Sequence, residues 1–110
     1  MLHPDQNEMD FQPIDEIDPI IHSLTRLKIL ALLSVVERAD FTFLLNQTGL
    51  TRGNLSVNLR KLEEAGYVQI EKDFVDRIPR TLVRLTEQGG QALHTYRENM
   101  QQVLDELLHK

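Results

Sequence analysis

Residues 41–66, FTFLLNQTGLTRGNLSVNLRKLEEAG, predict a helix, a tight turn and a second helix. Thr42 is placed to cap the first of these, which runs to about Gln47. Gly49 then supplies a left-handed C-terminal turn, Leu50 is the apolar residue of the turn, and Thr51 is the next N-cap. In the second helix Leu55, Leu59 and Leu62 recur at i, i+4 and i+7, a single stripe for burial. At about 100° per residue the opposite face carries Gly53, Ser56, Val57 and Arg60, flanked by Asn54 and Lys61. That face is small, hydrogen-bonding and cationic. It suits approach to a polar, anionic surface.

The flanks complete a consistent order. Residues 1–17 are acidic, broken by Pro4 and Pro13, and without apolar period, so they are expected to be a flexible tail. Asp18-Pro19 reads as a cap followed by proline at the first helical position, and IIHSLTRLKILALLSVVE continues as a largely apolar helix, with Ser23 or Thr25 marking a restart. RADFT at 38–42 breaks it, with Phe41 in a short extended bridge. After Gly66 the alternation of Tyr67–Lys72 and of Arg80–Leu85 predicts two strands joined by a charged turn around Asp73–Pro79. Thr86 then opens a long helix to about His109. Its seam of Leu93, Tyr96, Met100, Val103, Leu104 and Leu107 outruns what so small a domain covers, which points to a dimer interface.

Charge distribution decides whether an anionic partner is plausible for a chain of net charge −5. Residues 1–23 hold six acids (Asp5, Glu8, Asp10, Asp15, Glu16, Asp18) and no Lys or Arg, leaving 12 basic against 11 acidic groups elsewhere. Residues 52–84 carry seven basic groups against five acidic ones. The acidity is thus a property of the N-terminus, and the central segment is mildly basic. The 110 residues contain no cysteine, which removes disulfides, thiolate metal sites and cysteine nucleophiles. No segment has the roughly 18 apolar residues of a membrane span, and the acidic start is unlike a signal peptide. A cytoplasmic protein is expected. His94 with Glu98 and His109 with Asp105 stand at i, i+4, a spacing common by chance, so no metal or cofactor is expected. No nucleophile, carboxylate pair or glycine-rich loop has a supporting partner, and Gly89-Gly90 reads as an irregular helix start; an enzyme is not expected.

Four stretches carry a resemblance: Arg26-Leu-Lys-Ile-Leu-Ala-Leu-Leu, Phe43-Leu-Leu-Asn-Gln-Thr-Gly-Leu-Thr, the run from Gly53 to Val68, and Leu85-Thr-Glu-Gln-Gly. Over about residues 18–108 the chain resembles winged helix-turn-helix regulators of the MarR/ArsR type, the small MarR-like form with a single C-terminal helix. The resemblance implies a mainly α fold with a β-hairpin wing in the order α-α-α-β-β-α. It implies an organisation of tail (1–17), DNA-binding domain (18–85) and dimerisation helix (86–110). It implies that helix 51–65 enters the DNA major groove, with Thr51, Arg52, Gly53, Asn54, Ser56 and Arg60 at contact positions and Arg77 and Arg80 on the wing. The expected function is a homodimeric regulator, a repressor on a palindromic operator, whose partners are double-stranded DNA and itself. The wing holds Asp73 and Asp76 beside its arginines, and the second C-terminal helix that helps form an effector pocket in larger relatives has no counterpart here. The effector therefore stays unknown, and the acidic tail with the mixed-charge wing makes a winged-helix module that binds protein, without useful DNA affinity, the competing reading.

Overall fold

The computed structural model describes residues 12–108. The expectations for residues 1–11 and for His109 lie outside them. The elements are α1 (Gln12–Asp15), α2 (Leu24–Val35), β1 (Ala39–Asp40), α3 (Phe41–Thr48), α4 (Arg52–Glu64), β2 (Val68–Val75), β3 (Ile78–Leu85) and α5 (Glu87–Leu108). The fold is mostly helical with one antiparallel hairpin, and the three-stranded sheet has the order β1-β3-β2.

Local chemistry sets most boundaries. Ser23 caps α2 by accepting from Arg26 N–H at 3.2 Å. Asp18 does not begin that helix. Its carboxylate accepts from Ile20 N–H at 2.8 Å and its carbonyl from His22 N–H at 2.8 Å, closing a separate turn. The cap of α3 is Asp40, which accepts from Phe43 N–H at 2.7 Å, and not Thr42 as expected. Asp40 takes this role because β1 pairs with β3 through Ala39↔Val83 and Asp40↔Leu82, so the chain leaves the sheet one residue before Phe41, which is already helical. Gly49 adopts φ 71°, a conformation that side chains with a Cβ resist. Thr51 accepts from Asn54 N–H at 3.1 Å as the cap of α4.

The hairpin is longer and tighter than its sequence suggested. β2 and β3 stay paired from Val68↔Leu85 out to Val75↔Ile78, leaving only Asp76 and Arg77 in the turn. Both have positive φ, 51° and 68°, as a two-residue turn of the primed type requires. Asp73, expected within the turn, instead pairs across the strands with Arg80, the expected start of the second strand.

The core joins Ile29, Leu30 and Leu33 of α2 with Leu44 of α3, Leu55, Leu59 and Leu62 of α4, and Val68 and Val83 of the hairpin. Each fully buried leucine contributes about 1.5–3 kcal/mol relative to exposure. Residues 12–17, expected to belong to a flexible tail, have a defined position here: α1 packs on α5, and Asn99 Nδ2 donates to the Glu16 carbonyl at 3.2 Å. The seam of α5 divides accordingly. Leu93 and Tyr96 pack on the core, Val103 is buried one turn beyond Asn99, and Leu104 and Leu107 stay exposed.

The junction of α4, β2 and α5 is close-fitting. Thr86 Oγ1 donates to the Gly66 carbonyl at 2.6 Å and accepts from Gly89 N–H at 2.9 Å, while Thr86 N–H donates to the Tyr67 carbonyl at 3.0 Å. A Cβ on Gly89 would collide with that same backbone carbonyl of Tyr67, whereas one on Gly90 would meet only Leu85, at 3.9 Å. Gly89→Ala should therefore destabilise the chain by about 2 kcal/mol or more. Gly90→Ala should stabilise it by about 0.5–1 kcal/mol through helix propensity. Denaturant unfolding of the two variants checks the opposite signs.

The Tyr67 hydroxyl donates a short hydrogen bond to the Asp18 carboxylate, tying the N-terminal turn to this junction. That bond, with partial burial and the negative charge of Asp18, pushes the phenol up to about 12 from its ordinary 10.0. Because the folded value lies above the unfolded one, folding favours the protonated phenol. Stability should be level below pH 10 and fall as the pH rises from about 10 to about 12. Tyr67→Phe should flatten that alkaline slope in a melting-temperature series.

Candidate nucleic-acid interface

The outer surface of α4 follows directly from its inner one. With Leu55, Leu59 and Leu62 buried, Thr51, Arg52, Gly53, Asn54, Ser56, Val57 and Arg60 are all exposed. Among the described residues nothing lies within 4 Å of a Cβ built on Gly53, so this part of the helix stands clear of them. The backbone N–H groups of the first turn point out of the N-terminus beside Arg52 and Gly53, a favourable arrangement for a phosphate. Arg52 lies over the Phe41 ring with its guanidinium carbon 5.6 Å from the centroid, which steadies it without neutralising it.

The hairpin flanks this surface. A polar cleft of about 410 Å³ lies between them, lined by Arg52 and Ser56 of α4, Asp40–Thr42 at the start of α3, and Pro79–Thr81 of β3. The structure thus brings Arg52, Ser56 and Arg80 together around one cleft. Arg60 lies two turns further along α4, and Arg77 at the tip of the hairpin. The two wing arginines differ. Arg80 is held by Asp73 in a bidentate pair, Nε to Oδ1 at 3.0 Å and Nη2 to Oδ2 at 2.8 Å. The Arg80 hydrogen bond holds the Asp73 carboxyl below its ordinary value, so the pair persists through neutral pH. Arg77 makes no ion pair among the described residues.

Two residues with no assigned role in the sequence reading orient α4. Asn58 is buried; its amide donates to the Asn54 carbonyl at 2.9 Å and to Asn54 Oδ1 at 2.6 Å, and accepts from Arg26 Nη1 at 2.8 Å. Arg26 in turn donates from Nε to the Ile20 carbonyl. Two positions along α2, Lys28 Nζ donates to the Thr48 carbonyl at 3.2 Å, at the end of α3. These contacts hold both helices of the helix-turn-helix to α2. The only sequence signal was an asparagine between Leu55 and Leu59 on the inward side of α4.

Along α5, His94 Nε2 lies 3.4 Å from Glu98 Oε1, and both are exposed. Among the described residues no three His, Asp or Glu side chains gather as a metal site would require. No helix among the described residues is long and apolar enough to cross a membrane.

The sequence matches the winged helix DNA-binding domain over residues 25–104, most of the described chain. The chain belongs to that family. An uncharacterised protein of Methanocaldococcus jannaschii is 39% identical over 77 residues, covering 70% of this chain and 84% of its own. The structure of a transcriptional regulator homologue from Pyrococcus horikoshii OT3 superposes with a TM-score of 0.81 at 31% identity, over 88% of this chain and 98% of that one. The transcriptional regulator BldR from Sulfolobus solfataricus gives 0.61 at 25% identity, over 88% and 72%. The winged-helix fold of MarR/ArsR-type regulators therefore stands, and the family is one of DNA-binding transcriptional regulators and not of enzymes.

Arg26→Met should cost about 1–3 kcal/mol, because it leaves the buried Asn58 carbonyl oxygen without its donor. The replacement keeps most of the stem's packing. Chemical unfolding measures the loss; a change below about 0.5 kcal/mol would show that Asn58 is satisfied without Arg26.

Proposed function

We propose that this winged-helix regulator binds specific duplex DNA as a homodimer, with α4 in the major groove, and acts in the cytoplasm as a repressor that occludes a promoter. The observation that carries the reading is the surface of α4. It is exposed from Thr51 to Arg60, uncovered among the described residues, and furnished with two arginines, Asn54 and Ser56. Such side chains suit base edges and phosphates, and an α-helix fits the major groove. Thr51, Arg52 and Gly53 are placed for phosphate through the helix N-terminus, and Asn54, Ser56 and Arg60 for base edges or backbone.

Dimerisation is supported by α5. Leu93, Tyr96, Met100 and Leu104 line a shallow groove of about 480 Å³, and Leu104 and Leu107 are 45% and 65% exposed. Exposed apolar side chains along one helix favour a second copy over water. A two-fold dimer presents two α4 helices about one DNA turn apart, matched to a palindromic site.

Selection of bound duplexes from a random pool should yield an inverted repeat. On a selected duplex, Arg60→Ala should weaken binding about tenfold or more in a gel-shift titration, with the melting temperature unchanged. Binding should also fall steeply with salt, by about 0.9 in the logarithmic slope for each phosphate neutralised. A flat salt response with no enriched sequence would instead favour the protein-binding module.

A further inference from the structure

Asn54, the third residue of α4, is the exposed end of a hydrogen-bonded relay that begins on α2. Arg26 Nη1 donates to Asn58 Oδ1 at 2.8 Å. Asn58 Nδ2 then donates to the Asn54 carbonyl at 2.9 Å and to Asn54 Oδ1 at 2.6 Å. The direction of each bond is fixed by the chemistry of its ends. A guanidinium only donates, so the oxygen of the Asn58 amide must face Arg26. A peptide carbonyl only accepts, so the Asn58 nitrogen must face Asn54, and that donor in turn requires the oxygen of the Asn54 amide. Asn58 is only 7% exposed, which shields the relay from water that would let either amide turn over. With Oδ1 held against Asn58, the planar Asn54 amide presents Nδ2 on its other side. Among the described residues Nδ2 has no partner. Helix stability gives no reason for the arrangement, since asparagine is a poor helix former and an amide buried among leucines is costly.

We infer that Asn54 reads a base edge as a donor only, set in that role by Arg26 and Asn58. It selects the keto bases, guanine through O6 or thymine through O4, against adenine and cytosine, which carry amino groups at those places. The inference rests on the DNA-binding reading and deepens it, because it names what the first turn of α4 recognises. An asparagine free to orient itself pairs with adenine through both amide atoms, the oxygen accepting from N6 and the nitrogen donating to N7. The relay takes the oxygen out of that pairing and leaves one outward donor. Against an amino group a donor is desolvated without a partner, which is where discrimination arises. Adenine still offers N7, but beside an amino group that opposes the donor. Arg26 and Asn58 are positioning residues, which act through Asn54 and touch no base.

The test is selection of duplexes from a random pool by the full chain and three variants, followed by titration of duplexes that differ at one base pair. The position read by Asn54 is the one whose preference Asn54→Ala abolishes. There the wild type should favour guanine or thymine over adenine or cytosine about tenfold. Asn54→Asp keeps one oxygen for Asn58 and turns a second outward, so the preference should reverse toward the amino bases. Asn58→Asp keeps an acceptor for Arg26 but has no donor. The Asn54 amide then turns over to give its nitrogen to that carboxylate, and the preference should reverse at the same position. A purely structural role would weaken all duplexes alike. Base preferences unchanged in Asn54→Ala would overturn the inference and point to a phosphate contact. A retained keto preference, or a uniform loss of affinity, in Asn58→Asp would overturn the relay. If melting curves show that Asn58→Asp does not fold, the surface variant Asn54→Asp decides, and a keto preference retained there refutes the donor role. A wild-type chain that binds no duplex would overturn the DNA reading itself.

Discussion

The surface offered by α4 depends on the burial of Leu55, Leu59 and Leu62 against α2, because a helix cannot bury one side without fixing what the other presents. The three leucines contribute several kcal/mol together, far more than any polar contact nearby. They choose the face but leave the helix free to roll by small angles. The Arg26–Asn58 bond removes that freedom, since a buried amide keeps its partner only at one rotation. Lys28 does the same for the end of α3 through the Thr48 carbonyl. Cations of α2 that look like an ordinary solvated face thus serve as fasteners. The bulk term sets the architecture and the weak directional terms set its precision.

A second dependence runs through Gly89. The start of α5 lies so close to the Tyr67 carbonyl that no Cβ fits, and Thr86 bridges Gly66, Tyr67 and Gly89 at the same place. The end of α4, the root of the hairpin and the long helix therefore move as one body. With a second copy on α5, the spacing between two α4 helices would be transmitted through this junction. Rigidity there matters more than anywhere in the hairpin itself, whose outer half is exposed from Phe74 to Arg80.

The sequence made the element order legible because each element had a strong local signal. Thr51 capped α4, Gly49 and Gly66 ended helices, and Thr86 opened α5, all by chemistry confined to a few residues. Positions decided by distant partners were less legible. Asp40 caps α3 because β1 exists, and β1 exists only through its pairing with β3. The hairpin turn was read too wide because Arg77, in the second turn position, is an unusual residue for positive φ, and the pattern gave no Asn-Gly or Asp-Gly signal. Residues 12–17 looked unstructured because their periodicity is weak; their order comes from α5, more than 80 positions away. In the candidate site the exposed residues were legible from helical phase, whereas Asn58 and the Asp73–Arg80 pair needed three dimensions.

The charges of α4 are set against its own dipole, and this bears on what the helix is for. Arg52 lies in the first turn, where the positive helix end disfavours a cation, and Glu63 and Glu64 lie in the last turn, where acids are disfavoured and only Lys61 has the favoured sign. Each misplacement costs about 0.3–1 kcal/mol at low ionic strength. Folding alone would place acids first and bases last. The observed order is the one that suits an anion at the N-terminus, where Arg52 and the free N–H groups reinforce each other. Asp18 is tied to Tyr67, beyond the C-terminal end of α4. A helix of 13 residues is about 20 Å long. At physiological salt the screening length is about 8 Å, shorter than the helix, so charges at its two ends are largely screened from each other. Asp18, Glu63 and Glu64 thus lie toward one end of α4 and Arg52 at the other, which lets the N-terminal end present a locally cationic surface.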